Sequence, residues 1–124
     1  MPHSPLRLIV VEDNVNTAEG LKKFLKAVGY QVFVATDMTS ALCLASSIQF
    51  DLLLSDLVLP DGSGWELLKE LNAKRHIRAI ALTAHNLPED LQRSAEAGFV
   101  EHLAKPLAAD KLCAAIERAA VEAE

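Results

Sequence analysis

The segment FDLLLSDLVLPDGSG, residues 50–64, decides how this chain folds. Its leucines from Leu52 to Leu54 form an uninterrupted apolar run, which is typical of a central strand covered on both faces. The run ends at Asp56, and the proline, aspartate and glycine residues that follow predict a turn. Because a buried carboxylate without a partner is costly, Asp56 must be paired, bound to a metal ion or part of that turn. The segment therefore predicts a buried strand with a carboxylate at its carboxyl end.

Apolar runs on either side of this segment alternate with amphipathic stretches at a repeat of about 25 residues, as expected of βα units stacked on a parallel sheet. The five predicted strands cover residues 6–11, 31–35, 51–55, 79–83 and 100–104. Polar residues in the second and fifth strands predict that these two lie at the edges of the sheet; they are Gln31, Glu101 and His102. The pattern therefore predicts an α/β fold of five βα units.

Each predicted strand is followed by a predicted helix. The first helix has Asn14 as its N-cap and ends at Gly29. Its predicted buried face consists of Val15, Ala18, Leu21, Leu25 and Val28. The fourth helix, PEDLQRSAEAG at residues 88–98, is the least firmly anchored, because Leu91 and Ala95 are almost its only apolar contacts.

The composition indicates one globular domain, residues 1–124, with 51% hydrophobic residues, 5 glycines and 5 prolines. A formal net charge of −5 and the lack of a basic run argue against direct nucleic-acid binding. The apolar runs are far shorter than the roughly 20 residues that cross a bilayer, and no signal cleavage site follows the first of them. We therefore expect a cytoplasmic domain without membrane contact. Cys43 and Cys113 lie in apolar, helix-like stretches without a Cys-x-x-Cys pair, so we predict that both are reduced core thiols.

Charged and hydroxyl side chains follow four of the five predicted strands. In chain order they are Glu12 and Asp13, Asp56, Thr83, and Lys105 with Pro106. In an open α/β sheet, ligands bind beyond the carboxyl ends of the strands. The joint placement of these residues therefore predicts a single functional site at that edge, although each residue alone has a simpler interpretation as a helix cap or a turn residue.

Three carboxylates at this edge would repel one another by roughly 3 kcal/mol per pair at about 5 Å. A cation is therefore needed, and oxygen ligands with room for water fit Mg²⁺ better than Ca²⁺. Thr83 and Lys105 offer a hydroxyl group and an ammonium group that can hold the oxygens of a phosphoryl group. Asp56 is the natural nucleophile for such a group, and Glu12 and Asp13 would hold the metal.

Together these residues resemble the receiver domain of two-component response regulators. The resemblance covers essentially the whole chain and rests on VVEDN at 10–14, SDLVLPDGSG at 55–64, LTA at 82–84 and AKPL at 104–107. It implies a flavodoxin-like (βα)5 fold, a three-layer α/β/α arrangement with a doubly wound parallel sheet in strand order 2-1-3-4-5. It also implies a signalling domain and not an enzyme, with only self-catalysed phosphotransfer and slow dephosphorylation.

The resemblance implies that Asp56 accepts a phosphoryl group from a phosphohistidine. The donor would be a histidine kinase or a histidine phosphotransfer protein of a phosphorelay. Asp13, Asp56 and the backbone carbonyl of Val58 would ligate Mg²⁺ or Mn²⁺, and Glu12 would contribute through water. The domain would be a monomer or a weak, phosphorylation-dependent dimer.

The resemblance also implies roles for the remaining site residues. Thr83 and Lys105 would contact the phosphoryl oxygens, and the peptide bond between Lys105 and Pro106 would be cis. Movement of Thr83 would shift the loop before the fourth helix and change the surface formed by that helix and the fourth and fifth predicted strands.

The chain departs from the family pattern at several positions. His102 stands where the family commonly has the tyrosine or phenylalanine that reports the switch; an imidazole can rotate similarly, and the alternative is a partly solvated histidine on an edge strand. Glu12 replaces a more usual aspartate. Val58 and His85 lie two residues after Asp56 and Thr83, and we hypothesise that the apolar Val58 lets the aspartyl phosphate persist.

Other classes fit the residues less well. A phosphatase of the haloacid dehalogenase type needs a second aspartate where Val58 stands, and a flavodoxin needs a hydroxyl-rich phosphate loop where Glu12 and Asp13 stand. A pseudo-receiver that only binds partner proteins is the main alternative. The chain is either a stand-alone regulator or part of a larger protein. The segment SDLVLPDGSG resembles the corresponding segment of receivers at the end of hybrid sensor histidine kinases.

Overall fold

Parallel strands form the central sheet of the computed structural model, which describes residues 6–84 and 87–121. In chain order the strands are β1 (Arg7–Val11), β2 (Gln31–Ala35), β3 (Leu52–Asp56), β4 (Val58–Leu59), β5 (Gly62–Ser63), β6 (Ala79–Thr83) and β7 (Glu101–Ala104). The sheet has the order β2-β1-β3-β6-β7, and β4 and β5 form a separate antiparallel pair. With that short pair left out of the count, this is the predicted order 2-1-3-4-5, so the fold prediction is confirmed.

Five helices cover the two faces of the sheet in the described part of the chain. They are α1 (Val15–Val28), α2 (Met38–Ser47), α3 (Gly64–Asn72), α4 (Pro88–Ala97) and α5 (Ala109–Val121). Buried residues of α2, α3 and α4 share one hydrophobic cluster with the strands, and those of α1 and α5 share the other. The molecule therefore has the three layers expected of a doubly wound sheet.

The core follows from the period-two alternation of the inner strands. Ile9 and Leu53 belong to one cluster, whereas Leu8, Leu52 and Leu54 belong to the other. All five side chains are at most 1% exposed. Because successive strand residues point to opposite faces, a strand buried on both faces must be apolar throughout, as the leucine run is. Each such leucine contributes about 1.5 to 3 kcal/mol by its burial.

Helix α1 begins and ends as predicted, but its buried face is shorter than predicted. The side chain of Asn14 accepts a hydrogen bond from the backbone N–H of Thr17 at 3.0 Å, and Gly29 has the positive φ of 122° that favours glycine. Val15 and Val28, predicted to be buried, are 63% and 47% exposed. They are the first and last residues of the helix and lie beyond the part that packs on the sheet. Only the middle of the predicted face is therefore buried.

The prediction that Leu91 and Ala95 anchor α4 was wrong. Leu91 is 40% exposed and Ala95 is also exposed, whereas Ser94 and Ala97 are buried. The reason is a hydrogen bond at 3.0 Å from Trp65 Nε1 on α3 to Ser94 Oγ, which lets a hydroxyl group occupy a core-facing position.

The two cysteines are free, but they are not both core residues. Cys113 is half-buried and Cys43 is exposed. Ala41 is the residue of α2 that faces the core. Residues two positions apart in a helix point in directions about 200° apart, so Cys43 points away from the core. The prediction that Cys43 is a core thiol was therefore wrong.

The turn after β3 contains the short β4–β5 pair, which the sequence pattern did not predict. Asp61, at its tip, accepts hydrogen bonds from the backbone N–H groups of Met38 and Thr39 at 2.7 and 2.9 Å and from Thr39 Oγ1 at 2.6 Å. These bonds lower the pKa of Asp61 to about 2. The turn beside the carboxyl end of β3 is thereby tied to the first turn of α2.

Candidate functional site

The pairing of the inner strands determines where the predicted site residues leave the sheet. Val11 lies opposite Ser55, so the residues that follow them, Glu12 and Asp56, emerge side by side. Thr83 lies opposite Ala104, so Lys105 emerges next to the end of β6. The same register that buries the leucine runs therefore brings the polar residues to one edge.

Glu12, Asp13 and Asp56 form an acidic cluster in which one carboxylate oxygen from each residue lies within 4.8 Å of the others. Glu12 and Asp56 are 1% and 5% exposed, whereas Asp13 is exposed. Burying two carboxylates beside a third is unfavourable without a counter-charge. An all-oxygen donor set that is open to solvent on one side is the kind of site that suits Mg²⁺, so the residues fit that ion.

Lys105 supplies an ammonium group to the acidic cluster. Its Nζ donates a hydrogen bond to Glu12 Oε1 at 2.6 Å. The same Nζ lies 2.6 Å from Asp56 Oδ1, a charge contact that lacks the alignment of a hydrogen bond. One positive charge therefore faces three carboxylates, which leaves an excess of negative charge for a cation to balance.

The two buried carboxylates have shifted acidities. Burial and the carboxylate of Glu12 raise the pKa of Asp56 to about 7, although Lys105 acts in the opposite direction. Burial also acts to raise the pKa of Glu12, but hydrogen bonds that it accepts from protonated Asp56, from Lys105 and from the backbone N–H of Asn14 lower it overall. Asp56 is therefore the carboxylate that holds a proton most readily when no cation is bound.

Backbone contacts fix the residues that surround Asp56. The N–H of Asn14 donates to Glu12 Oε2 at 3.1 Å, and Ser55 Oγ donates to the carbonyl oxygen of Asp56 at 2.8 Å. Gly64 packs so closely that a Cβ atom there would lie 2.4 Å from the same carbonyl oxygen. Sequence reasoning missed the role of Ser55, although a hydroxyl group inside an otherwise apolar strand was a signal that could have found it.

A cleft of about 270 Å³ opens at the carboxyl ends of β3 and β6. The predicted site residues that line it are Asp13, Asp56, Val58, Thr83 and Lys105. Glu12, at 1% exposed, lies beneath its surface. The cleft is large enough for a small tetrahedral anion and has carboxylate, hydroxyl and ammonium groups on its walls.

Thr83 and Lys105 are held together at the end of β6. Thr83 is 6% exposed, and its carbonyl oxygen accepts a hydrogen bond from the backbone N–H of Lys105 at 2.7 Å. The peptide bond between Lys105 and Pro106 is cis. The hydroxyl and ammonium groups that sequence analysis selected therefore come from adjacent points of the sheet edge.

His102 lies outside the acidic cluster, on the edge strand β7. It is half-buried, and its Nε2 atom is buried without a hydrogen-bond partner among the described residues. Burial lowers the pKa of His102, and the nearby charge of Asp90 only partly opposes this. The side chain is therefore a neutral imidazole at neutral pH, and its role as a switch residue stays a prediction. His85 lies outside the described residues.

The comparisons with known proteins agree with this geometry. Residues 8–117 match the family model of the response regulator receiver domain. Sporulation initiation phosphotransferase F of Bacillus subtilis is 30% identical over 113 residues, a match that covers 90% of this chain and 91% of that protein. A CheY-like receiver domain protein from Methanospirillum hungatei has a similar structure, with a TM-score of 0.91, 28% identity and coverage of 97% of each chain.

A second solved structure bears on the wider context. The signal receiver domain of a signal transduction histidine kinase from Syntrophus aciditrophicus has a TM-score of 0.84 at 30% identity, and the match covers 94% of this chain and 90% of that one. The chain spans about half the length of the first curated relatives that it matches, which are transcriptional regulatory proteins. None of the helices in the described part of the chain has the length and apolar character that crossing a bilayer requires.

Proposed function

This chain belongs to the response regulator receiver domain family, and from that premise we propose that it accepts a phosphoryl group on Asp56. The donor is a phosphohistidine on a histidine kinase or histidine phosphotransfer protein. The observation that carries the proposal is the convergence of Asp13, Asp56, Thr83 and Lys105 on one cleft. A domain that only bound partner proteins would have no need of this combination.

Mg²⁺, or Mn²⁺ in its place, fits the donor set at the floor of the cleft. Asp13, Asp56 and the backbone carbonyl of Val58 would hold the ion, and Glu12 would act through water. Bound there, the ion would neutralise the excess of negative charge and draw the oxygens of an incoming phosphoryl group toward the carboxylates. The acidic cluster supports this assignment, since its three carboxylate oxygens already lie within 4.8 Å of one another.

The transfer itself uses the carboxylate of Asp56 as the nucleophile. One of its oxygens forms a bond to phosphorus while the bond from phosphorus to the donor imidazole nitrogen breaks, and the imidazole keeps the electron pair. Lys105 Nζ, now 2.6 Å from Asp56 Oδ1, can keep its charge contact by moving to an oxygen of the transferred group. Thr83 would donate a hydrogen bond to another of those oxygens.

We further propose that the transfer changes the surface formed by α4, β6 and β7. Movement of Thr83 toward the phosphoryl group would shift the chain that leads from β6 to α4. His102, whose Nε2 has no partner among the described residues, would rotate with that change. Only two residues of α4 are buried, Ser94 and Ala97, which supports its assignment as the element that responds.

The wider context is also a proposal. We treat residues 1–124 as one cytoplasmic receiver domain, monomeric or weakly dimeric when phosphorylated, with no direct contact to nucleic acid or membrane. The similarity to the receiver of a histidine kinase supports placing the domain in a hybrid histidine kinase. In that case the parent protein is the enzyme, and this domain performs only its own phosphotransfer and slow dephosphorylation.

Incubation with acetyl phosphate and Mg²⁺ tests the proposed function. We expect the intact mass to increase by one phosphoryl group, because the small donor needs only the acceptor site and not a partner protein. Chelation of divalent ions with EDTA should prevent the adduct. A wild-type protein that stays unmodified under these conditions is a pseudo-receiver, and an adduct that forms equally well in EDTA contradicts the metal-dependent mechanism.

Replacement of Val58 by asparagine should shorten the lifetime of the aspartyl phosphate. Val58 is 75% exposed at the rim of the cleft, where an amide can hydrogen-bond an attacking water. One such hydrogen bond is worth about 1 kcal/mol, so the dephosphorylation rate should rise roughly fivefold. The decay of the adduct after removal of acetyl phosphate measures this rate.

Val28→Asn provides the matched control, since Val28 is also an exposed valine but lies at the far end of α1. It should leave the decay rate unchanged. If Val58→Asn decays at the wild-type rate as well, the apolar side chain is not what preserves the phosphoryl group.

A further inference from the structure

The contact between α3 and α4 contains a part-buried polar pair that the proposed site does not use. Trp65 Nε1 donates a hydrogen bond to Ser94 Oγ at 3.0 Å, and Ser94 is 2% exposed. The guanidinium carbon of Arg93 lies 4.0 Å from the centroid of the indole ring, on its face. A buried hydroxyl group is tolerated only while it has a hydrogen-bond partner. Trp65 is therefore the partner that allows Ser94 to be buried.

Among the residues that the structure describes, little else holds the first half of α4. Leu87 and Leu91 are 53% and 40% exposed, and no side chain caps the helix at Leu87. Ser94 and Ala97, the buried residues of the helix, both lie in its second half. Gly98, just beyond, packs so closely on α3 that a Cβ atom there would lie 2.9 Å from Asn72 Nδ2. The helix is thus attached to α3 by its carboxyl-terminal half, and Ser94 is its buried polar contact with α3.

Trp65 is also connected to the acceptor residue. It follows Gly64, whose N–H donates to the carbonyl oxygen of Leu57 at 3.0 Å. A Cβ atom on Gly64 would lie only 2.4 Å from the carbonyl oxygen of Asp56. A displacement of the backbone at Asp56 and Leu57 must therefore move Gly64, and Trp65 moves with it.

We propose that Trp65, Arg93 and Ser94 form a latch, the α3–α4 latch, that favours the unphosphorylated state and couples Asp56 to α4. The inference rests on the proposed function, because the event that opens the latch is the loading of Asp56. It adds a second connection between Asp56 and α4, through Gly64 and Trp65, to the proposed connection through Thr83. In these terms Trp65 and Ser94 are positioning residues, since neither touches the phosphoryl group.

Coupling of this kind is reciprocal. If loading of Asp56 opens the α3–α4 latch, then removal of the latch must favour loading by the same factor. The hydrogen bond between Trp65 and Ser94 is between neutral groups, so its loss should change that equilibrium by about fivefold. The effect is measurable even though Ser94 lies on another helix from the acceptor site.

Tryptophan fluorescence follows the α3–α4 latch directly, because Trp65 is the one tryptophan of the chain. We expect the emission of the wild type to shift to longer wavelength when Mg²⁺ and acetyl phosphate convert it to the adduct. In Ser94→Ala the emission should be shifted from the start and should change little on phosphorylation, although intact mass shows the adduct. Unchanged wild-type emission at full phosphorylation would overturn the proposal.

Binding of beryllium fluoride, a non-hydrolysable phosphoryl mimic, tests the reciprocity. Titration calorimetry with Mg²⁺ present should give half-saturation at about fivefold lower concentration in Ser94→Ala and in Trp65→Phe, which keeps the ring but lacks the donor. Ser47→Ala, on an exposed serine of α2, should bind as the wild type does.

The outcomes separate the two proposals. If both latch variants are less stable to urea but bind beryllium fluoride as the wild type does, the contact is merely structural and the α3–α4 latch is rejected. If the wild type forms neither the phosphoryl adduct nor the beryllium fluoride complex, the proposed function itself fails and the latch fails with it.

Discussion

Asp56→Asn is expected to abolish formation of the phosphoryl adduct while the protein stays folded. Asparagine has nearly the same shape as aspartate, but its neutral amide oxygen is a poor nucleophile and a poorer ligand for a divalent ion. We expect the yield of adduct with acetyl phosphate and Mg²⁺ to fall by a factor of at least about 100, as loss of a nucleophile does in other covalent mechanisms. Intact mass spectrometry measures the yield.

The same variant should be more stable than the wild type when divalent ions are removed. It takes away one of three carboxylates whose oxygens lie within 4.8 Å of one another. Burial and the charge of Glu12 together outweigh the attraction of Lys105, as the raised pKa of Asp56, about 7, indicates. The urea midpoint in EDTA should therefore rise.

Asp110→Asn is the matched control. Asp110 is an exposed aspartate in the first turn of α5 and does not line the cleft. It should give the wild-type yield of adduct. An Asp56→Asn protein that gains a phosphoryl group as readily as Asp110→Asn would show that the acceptor lies elsewhere.

Gly64→Ala is expected to destabilise the fold and to impair the acceptor site together. The new Cβ atom would lie 2.4 Å from the carbonyl oxygen of Asp56 and 3.2 Å from Leu57 Cα, and both are backbone atoms that cannot rotate away. Overpacking of this kind costs roughly 2 to 3 kcal/mol. Urea denaturation should show the loss of unfolding free energy, and the yield of adduct should fall because Asp56 is displaced.

Gly20→Ala should have the opposite effect on the free energy of unfolding. Gly20 lies inside α1, and a Cβ atom there would meet nothing within 4 Å apart from its chain neighbours and the adjoining backbone of the helix. Alanine in a helix interior is favoured over glycine by about 0.5 to 1 kcal/mol, so this variant should be more stable than the wild type. If the two alanine variants change the stability equally, then close approach to Asp56 is not what requires glycine at position 64.

The strands of the sheet could be predicted because each is marked by an apolar run within its own segment of the sequence. Residues 31–35 and 79–83 form strands with the predicted bounds, β1 and β7 begin one residue later than predicted, and β3 is shifted by one residue. The acidic cluster could be predicted for the same reason, since a parallel sheet puts the residue after each strand at one edge. Fold and candidate site thus follow from one pattern.

Features that depend on a distant partner could not be predicted. Ser94 is buried because Trp65, 29 residues earlier, donates a hydrogen bond to it, and nothing in the polar sequence around Ser94 indicates this. Glu12 and Lys105, 93 positions apart, were predicted to share one edge of the sheet, but the hydrogen bond that joins them was not predicted. The short β4–β5 pair escaped prediction because strands of two residues show no periodicity. Local patterns determine which elements form, whereas partner choice depends on the assembled structure.

The ammonium group of Lys105 has a consequence for the order in which the domain is completed during synthesis. Glu12 follows β1 and Asp56 ends β3, so both are synthesised before Lys105, which follows β7. Until that strand pairs with β6, the two buried carboxylates have no lysine between them, and their repulsion opposes closure of β1 on β3. A chain that lacks this last βα unit therefore carries an unbalanced pair of carboxylates at the sheet edge, and the site is assembled only when β7 has paired with β6.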